Sequence, residues 1–358
     1  MAQSIITGTG SYLPENIISG SYFENSEFYD DEGLSIDRPT AEIISKFVEI
    51  TEIENRRYAD DDMVNSDLGK IAAERAIADA GIDPETLDYI IYASNYGDVR
   101  QDGCSDFMPS ISSRLKNKLG IKNRKCVNYD MIFGCPGWVE AMILADTLIK
   151  AGKAKSILVV GAETLSRVTD PYDRNKMIFA DGAAATILQS IEESDGGIMA
   201  SSTICDNGDE LFYLQNACSL NPESTERGNY IRMRGRKIYE YALKNVPVAI
   251  KQTIDDAGLD IADINKIIIH QANAKMDHAM VSRLFRLFGK KEYDPAVAPM
   301  TIQQFGNSSV ATIPTMYDLI RRGEMEGQQF HPGDRVVMAS VGAGMNINCI
   351  IYQIPTKP

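Results

Sequence analysis

Cys135 is the residue with the clearest chemistry. It lies in Gly134-Cys135-Pro136-Gly137, between residues 125–132, which read as a short buried strand, and a helical pattern carrying Val139, Met142, Ile143 and Leu144. Proline is well tolerated as a first helical residue, where its missing N–H costs no intrahelical bond. The spacing therefore puts Cys135 in or beside an N-cap, where free N–H groups and the positive end of the helix dipole favour an anion. A thiolate is such an anion, and it is the nucleophilic form of cysteine. His270 ends the run Ile267-Ile268-Ile269-His270, followed by Gln271-Ala272-Asn273. That places it at the carboxyl end of a buried strand, where the sites of open α/β sheets collect. Of the three histidines, His331 reads as a loop residue in a His-Pro-Gly-Asp turn and His278 as a surface or boundary residue of a helix. Phe305-Gly306-Asn307-Ser308-Ser309 leads into another helical pattern over 310–320 and reads as a second turn of the Cys135 kind.

The elements that must position these residues form an alternating series. Residues 63–80 carry Leu68, Ile71, Ala72, Arg75 and Ala76 at helical spacing, and Gly81 stops them. Residues 87–93 are a near-continuous apolar run, the mark of a strand covered on both faces. Residues 156–161 and 183–191 read as further buried strands. Strands alternating with helices predict an α/β protein with a largely parallel sheet. Acidic residues dominate 24–54, against only Arg38 and Lys46, and predict a solvated face with short helices.

An internal echo refines this reading. Asp79-Ala80-Gly81-Ile82-Asp83 precedes Ile90-Ile91 as Asp256-Ala257-Gly258-Leu259-Asp260 precedes Ile267-Ile268, at one constant offset. The chain is read as a duplicated α/β unit, with halves 1–195 and 196–358 and a seam near 192–198. Under this duplication Gly134-Cys135 and Gly306-Asn307 occupy equivalent strand-to-helix turns that converge on one pocket.

Composition narrows the class. With 358 residues, 44% hydrophobic and 24% charged, the chain has the make-up of a soluble globular protein larger than one ordinary core. No stretch of about 18 apolar residues and no basic-then-apolar leader stands out, so neither a membrane span nor a signal peptide is expected. The six cysteines (Cys104, Cys126, Cys135, Cys205, Cys218 and Cys349) are dispersed, without CxxC pairs, which fits a reducing cytoplasm and no metal site. A net charge of −14 argues against general nucleic-acid or anionic-membrane binding.

Cys135, His270-Gln271-Ala272-Asn273 and Gly306-Asn307-Ser308-Ser309, in that order, resemble the Cys-His-Asn set of the β-ketoacyl-acyl-carrier-protein synthase III family of thiolase-like condensing enzymes. The resemblance extends to Gly8-Thr9-Gly10-Ser11-Tyr12-Leu13-Pro14, to residues 160–167, to Asp170-Pro171-Tyr172-Asp173-Arg174 and to Asp181-Gly182-Ala183, so it covers nearly the whole chain. It implies a layered αβαβα fold with two mostly parallel or mixed sheets, a homodimer, and an acyltransferase that performs decarboxylative Claisen condensation. A thiol suits that chemistry, because the group must be both nucleophile and leaving group. Cys135 would take the acyl group, with its own N–H among the oxyanion donors. His270 and Asn307 would donate to the enolate formed from a malonyl- or ketoacyl-type thioester on acyl carrier protein. No cofactor is implied; coenzyme A or carrier-protein thioesters are the substrates.

Further roles follow from the same resemblance. Ser340-Val341-Gly342-Ala343-Gly344-Met345 looks like the family's glycine-rich turn, with Ala343 N–H as the second oxyanion donor. Arg167 matches an adenine-contacting arginine. Met108 matches a residue that closes the partner's acyl pocket, and Phe133 and Trp138 flank the nucleophile. Lys275 and Arg283 match carrier-docking positions, and a second basic run holds Arg227, Arg232, Arg234, Arg236 and Lys237. Residues 46–53 depart from the pattern: they lack the family's tryptophan and arginine, and Glu49 and Glu52 would repel phosphate. The expected role is fatty-acid initiation or a related secondary-metabolite pathway, with an alkylresorcinol- or quinolone-type enzyme as the nearest alternative. A hydroxymethylglutaryl-type synthase would need a carboxylate base near Cys135, and Glu140 is too far along the helix. A silent partner subunit would usually lose the cysteine that this chain keeps.

Overall fold

The computed structural model describes residues 2–225 and 228–356. One sheet holds β1 (Gln3–Tyr12), β2 (Tyr89–Ala93), β3 (Val127–Met131), β4 (Ser156–Thr164) and β5 (Asp181–Ile191), in the order β1-β5-β4-β2-β3. The other holds β6 (Gly197–Cys205), β7 (Lys266–Ile269), β8 (Arg335–Gly342) and β9 (Asn346–Gln353), in the order β6-β9-β8-β7. Both sheets run in the same relative order, and among the described residues the second has no counterpart of β3. The helices are α1 (Thr40–Thr51), α2 (Asn65–Ala80), α3 (Ile111–Lys118), α4 (Gly137–Lys150), α5 (Gly235–Asp256), α6 (Ala274–Leu287), the single turn α7 (Ile302–Phe305) and α8 (Thr312–Arg322).

Strand side chains alternate between faces, and here both faces of each sheet are covered. Ile268, Val336 and Met338 point to the middle of the molecule, with Trp138, Val139 and Met142 of α4 and Ile313, Met316 and Ile320 of α8. Their neighbours Ile267, Ile269, Val337 and Ala339 point outward to Ile250 and Ile254 of α5 and Met280 and Leu284 of α6. In the first sheet Ile91 and Val159 face the middle, while Ile90, Tyr92, Leu158 and Val160 pack beneath Leu68, Ala72 and Ala76 of α2 and Ile111 and Leu115 of α3. The layers are therefore α2/α3, sheet, α4/α8, sheet, α5/α6. Double coverage is why the strands read as continuous apolar runs.

The sheets are mixed rather than largely parallel. β2 pairs parallel with β3 and β4, and β7 with β8, whereas β1–β5, β4–β5, β6–β9 and β8–β9 are antiparallel. Apolar runs report coverage and not direction, so the sequence pattern could not separate the two. β3 is also not buried: it is an edge strand, with Val127 38% and Tyr129 47% exposed.

The second turn differs from its expected mirror image. Asn307 follows the helical turn α7 rather than a strand, and is held by one parallel bridge to Phe179. Its N–H donates to Ile178 O at 2.9 Å and its carbonyl accepts from Ala180 N at 2.9 Å. Gly306 turns the chain into that bridge at φ 67°, ψ −164°, a conformation that favours glycine strongly. A Cβ there would lie 2.7 Å from Cβ of Arg56 and 3.1 Å from Cβ of Ala180. Gly306→Ala is expected to destabilise the protein by about 1–3 kcal/mol, read as a lower denaturation midpoint; an unchanged midpoint would show that the segment can shift freely.

Candidate active site

Cys135 stands in the turn between β3 and α4, with Pro136 as N-cap and Gly137 as the first helical residue. Two glycines press this turn against the β8–β9 hairpin. A Cβ on Gly134 (φ 69°) would lie 2.7 Å from both N and O of Ala343, and one on Gly342 would lie 2.5 Å from Cys135 N. The backbone of the Cys135 turn therefore packs tightly against the hairpin backbone at Gly342 and Ala343. Cys135 and Ala343 line a cavity of about 370 Å³ walled by Asn95, Tyr96, Leu165, Phe179, Leu214, Ile231 and Ser309.

His270 follows β7, and its N–H extends the ladder to Ala339 O at 2.9 Å. The ring is only 4% exposed. Burial pushes its pKa down to about 4, so the imidazole is neutral near pH 7. Nδ1 lies 2.8 Å from Thr312 Oγ1. The residues that follow are structural. Gln271 donates from Nε2 to Ile269 O at 3.0 Å and accepts at Oε1 from Thr301 N at 2.9 Å and Ile302 N at 3.3 Å, tying the strand end to α7. Asn273 caps α6 by accepting from Met276 N at 3.1 Å.

Asn307 Oδ1 accepts from Ser309 N at 2.7 Å. That bond fixes the amide orientation and leaves Nδ2, a donor, for the site. Ser309 is the meeting point. It sits at φ 52° and is 4% exposed. Its carbonyl accepts from the Thr312 hydroxyl at 3.0 Å, and its own hydroxyl accepts from Asn95 Nδ2 at 3.3 Å and hydrogen-bonds the Cys135 thiol. The thiol, the amide and the imidazole, from three separate segments, are thus linked through one residue.

The thiolate expected at the helix start is not the resting state. Burial pushes the Cys135 thiol up to about 11; the Ser309 hydrogen bond lowers it and the nearby Glu163 carboxylate raises it. Glu163 is itself fully buried and is pushed up to about 8 by burial, although it accepts from Asn95 N at 2.8 Å and Asn95 Nδ2 at 2.7 Å. Desolvation outweighs the helix end here because every strong polar neighbour is neutral or negative. Asn95, Glu163, Ser309 and Thr312 are the residues that sequence reasoning left without roles. Ser309 and Thr312 were legible only as neighbours of Asn307, and no spacing pointed to Asn95.

A larger cavity of about 810 Å³ reaches Asn307, Ala272 and Asn273 at one end, with Arg38, Lys46, Arg174 and Arg236 on its walls. Asp30, Asp37 and Glu42 also line it, so the acidic segment forms a cavity wall and not only a solvated face. Arg167 lies elsewhere. Its guanidinium donates to Val99 O at 2.8 Å and Asp60 O at 2.8 Å and borders two other clefts, so Arg174, and not Arg167, is the arginine of that stretch on the large cavity. Trp138, 1% exposed, points into the core between the sheets, because the first turn of α4 is packed there, and does not wall the cavity of Cys135. Phe133 is half-buried and stands outside that lining. Met108 is 88% exposed on its own chain. Glu140 is engaged away from the thiol, accepting from Thr203 Oγ1 and Asn348 Nδ2, each at 2.6 Å.

Lys275 and Arg283 are both exposed on α6. The second basic run does not make one patch. Arg232 turns inward toward Asp170 and Asp173, at 3.6 and 3.8 Å, and Arg236 pairs with Glu240 at 2.9 Å. Arg227 lies outside the described residues.

The thiol's surroundings give opposite signs for two substitutions. Ser309→Ala removes a bond that favours the thiolate, and Glu163→Gln removes a charge that opposes it. The pH midpoint for alkylation of Cys135 by iodoacetamide is expected to rise in the first variant and fall in the second, from a wild-type value well above that of an ordinary thiol; shifts of one sign would contradict this arrangement.

Comparison with known proteins agrees with this geometry. Residues 129–207 match the family model 3-oxoacyl-[acyl-carrier-protein (ACP)] synthase III, and residues 254–354 match the model of its C-terminal part. The chain is 31% identical over 359 residues to β-ketoacyl-[acyl-carrier-protein] synthase III of Paracoccus denitrificans, covering 99% of this chain and 100% of that one. The crystal structure of 3-oxoacyl-[acyl-carrier-protein] synthase III from Aquifex aeolicus superposes with a TM-score of 0.78 at 26% identity, over 98% of this chain and 99% of the other. The priming β-ketosynthase from the R1128 polyketide biosynthetic pathway shares the fold, with a TM-score of 0.79 at 24% identity over 99% and 97% of the two chains. The chain belongs to the β-ketoacyl-acyl-carrier-protein synthase III family of thiolase-like condensing enzymes, and is an acyltransferase of that type.

Proposed function

We propose that this condensing enzyme joins an acyl group carried on Cys135 to the enolate of a malonyl-type thioester borne by an acyl carrier protein, with loss of CO2. The observation that carries the reading is the linkage of Cys135, Asn307 and, through Thr312, His270 at Ser309. In the first half-reaction the sulfur attacks an acyl thioester. The carbonyl oxygen gains charge beside the N–H groups of Cys135 and Ala343, the carrier thiolate leaves, and the thiol proton ends on it. In the second, the bond to the malonyl carboxylate breaks and CO2 departs. Its electron pair forms an enolate whose oxygen is met by the His270 imidazole and Asn307 Nδ2–H. The enolate carbon attacks the acyl carbonyl and expels the Cys135 thiolate, which regains a proton. A neutral imidazole and an amide suit this step, because neither holds back the departing carboxylate by charge, and burial keeps His270 neutral.

The two cavities suit the two reactants. Asn307 borders the larger and Ser309 the smaller, so the Asn307-Ser308-Ser309 segment divides them. The larger would admit the carrier's arm, with Arg174 among the groups toward its phosphate, and the smaller would hold the acyl chain. Exposed Lys275 and Arg283 on α6 are the proposed docking site for an acidic carrier protein, a sensible device for an enzyme of net charge −14. A homodimer in which Met108 reaches the partner's pocket is supported by the exposed Met108, Phe107, Tyr129 and Ile132 at and near the open β3 edge. The division at residues 195 and 196 is supported by the matching strand orders.

Intact mass after incubation with a panel of acyl thioesters is expected to show a single acyl adduct on wild-type protein and none on Cys135→Ala; an adduct on the variant would reject Cys135 as nucleophile. Reversing Lys275 and Arg283 to Glu is expected to raise KM for carrier-bound substrate about tenfold while sparing coenzyme A thioesters. An unchanged KM would reject that docking surface.

A further inference from the structure

We propose that Tyr96 is a specificity-determining residue, a latched wall that limits the acyl group on Cys135 to short apolar chains; this rests on the acyl-carrying role given to Cys135 above. The cavity beside the thiol, about 370 Å³, is at the small end of the range for small-molecule pockets, roughly 300–1,000 Å³. Its apolar lining residues Leu165, Phe179, Leu214 and Ile231 belong to one small hydrophobic cluster that also holds buried Val99 and Val168, and the Tyr96 ring packs against that cluster. Polar groups on the lining are engaged elsewhere. Asn95 Nδ2 donates to Glu163 and Ser309, and Asn346 Nδ2 donates to Ala343 O at 3.0 Å. The surface left for a chain is mainly apolar.

Two sets of bonds hold this wall. The Tyr96 hydroxyl donates to Asn216 Oδ1 at 2.5 Å. Asn216 stands on a two-stranded ribbon, Leu214–Ala217 with Tyr230–Met233, which brings Leu214 and Ile231 to the cavity. The ribbon is pinned in turn through Asp170, which accepts from Ser219 Oγ at 2.9 Å and Leu220 N at 2.5 Å and lies 3.6 Å from Arg232. The ring cannot turn aside without losing Asn216, and the ribbon cannot retreat with it without straining the bonds to Asp170. Burial pushes the phenol pKa up, and the charges of Glu163 and Cys135 push it further, so the hydroxyl is within electrostatic reach of the thiol. A chain running from the sulfur toward the ribbon meets this ring, and forcing extra methylenes into a packed site is destabilising.

The test labels the full-length protein with n-alkyl methanethiosulfonates, from ethyl to octyl. The Cys135 thiolate attacks the sulfenyl sulfur, methanesulfinate leaves with the bonding pair, and the alkylthio group stays on Sγ as a mixed disulfide, where the acyl chain would lie. Adducts are read on the Cys135 peptide, because Cys104, Cys205 and Cys218 are exposed as well, and rates are taken relative to a free thiol. In wild type the relative rate is expected to fall about tenfold from the ethyl to the octyl reagent. Tyr96→Ala is expected to flatten this dependence. Tyr96→Phe and Asn216→Ala, which remove the latch and leave the wall's bulk, are expected to weaken it in part, and the acyl thioesters that label each variant should lengthen in the same order. A wild-type rate independent of chain length, or a dependence left unchanged by Tyr96→Phe and Asn216→Ala, would overturn the proposal. If no acyl thioester of any length labels wild type, the proposed function fails, while the alkyl series still decides whether Tyr96 bounds the cavity.

Discussion

The buried backbone of Ser309 is the constraint on which the rest of the site depends. At φ 52° its N–H, carbonyl and hydroxyl point to three different partners: Asn307, Thr312 and the Cys135 thiol. A non-glycine residue held in the left-handed region costs roughly 1–3 kcal/mol unless its surroundings hold it there. Here they do so from every side. Asn307 is bridged to Phe179, Asn95 reaches the hydroxyl, and α8 starts three residues later. The site is a rigid junction of short segments rather than a set of side chains on one element.

The electrostatics of this junction are those of a largely buried, nearly uncharged site. Burial moves the imidazole down, and the thiol and the Glu163 carboxyl up, in each case toward the neutral form. Such a site does not rely on a permanently charged nucleophile. Under the proposed mechanism charge would develop only with bound substrate, beside the N–H groups of Cys135 and Ala343, where preorganised dipoles would stabilise a transition state most.

Much of the layered fold was legible in the sequence, because coverage on both faces leaves unbroken apolar runs such as Ile267-Ile268-Ile269, and because the repeated Asp-Ala-Gly motif marked two similar halves. Cys135, His270 and Asn307 were legible through their positions at turns and strand ends and through their order. Strand direction was not, since alternation is the same in parallel and antiparallel pairs. Nor was the braced setting of the three residues. Glu163 stood out only as a member of the run 160–167, and its hydrogen bonds to Asn95 span sixty-eight residues. Trp138 looked like pocket wall because it is near Cys135 in the chain, yet one helical turn is enough to direct it into the core. The choice between Arg167 and Arg174 likewise depends on which way a short loop faces.

The closing strand contacts have a bearing on how the chain is made. β1, the first strand, pairs along β5, and its Thr9 and Ser11 hydroxyls bond Asp318, each at 2.6 Å and some three hundred residues downstream. During vectorial synthesis the opening strand must therefore wait for α8 before its last polar partners exist. Until the second sheet arrives, α4 has one apolar flank uncovered beside the Cys135 turn. Contacts of such long sequence separation slow folding and lengthen the time for which apolar surface stays exposed.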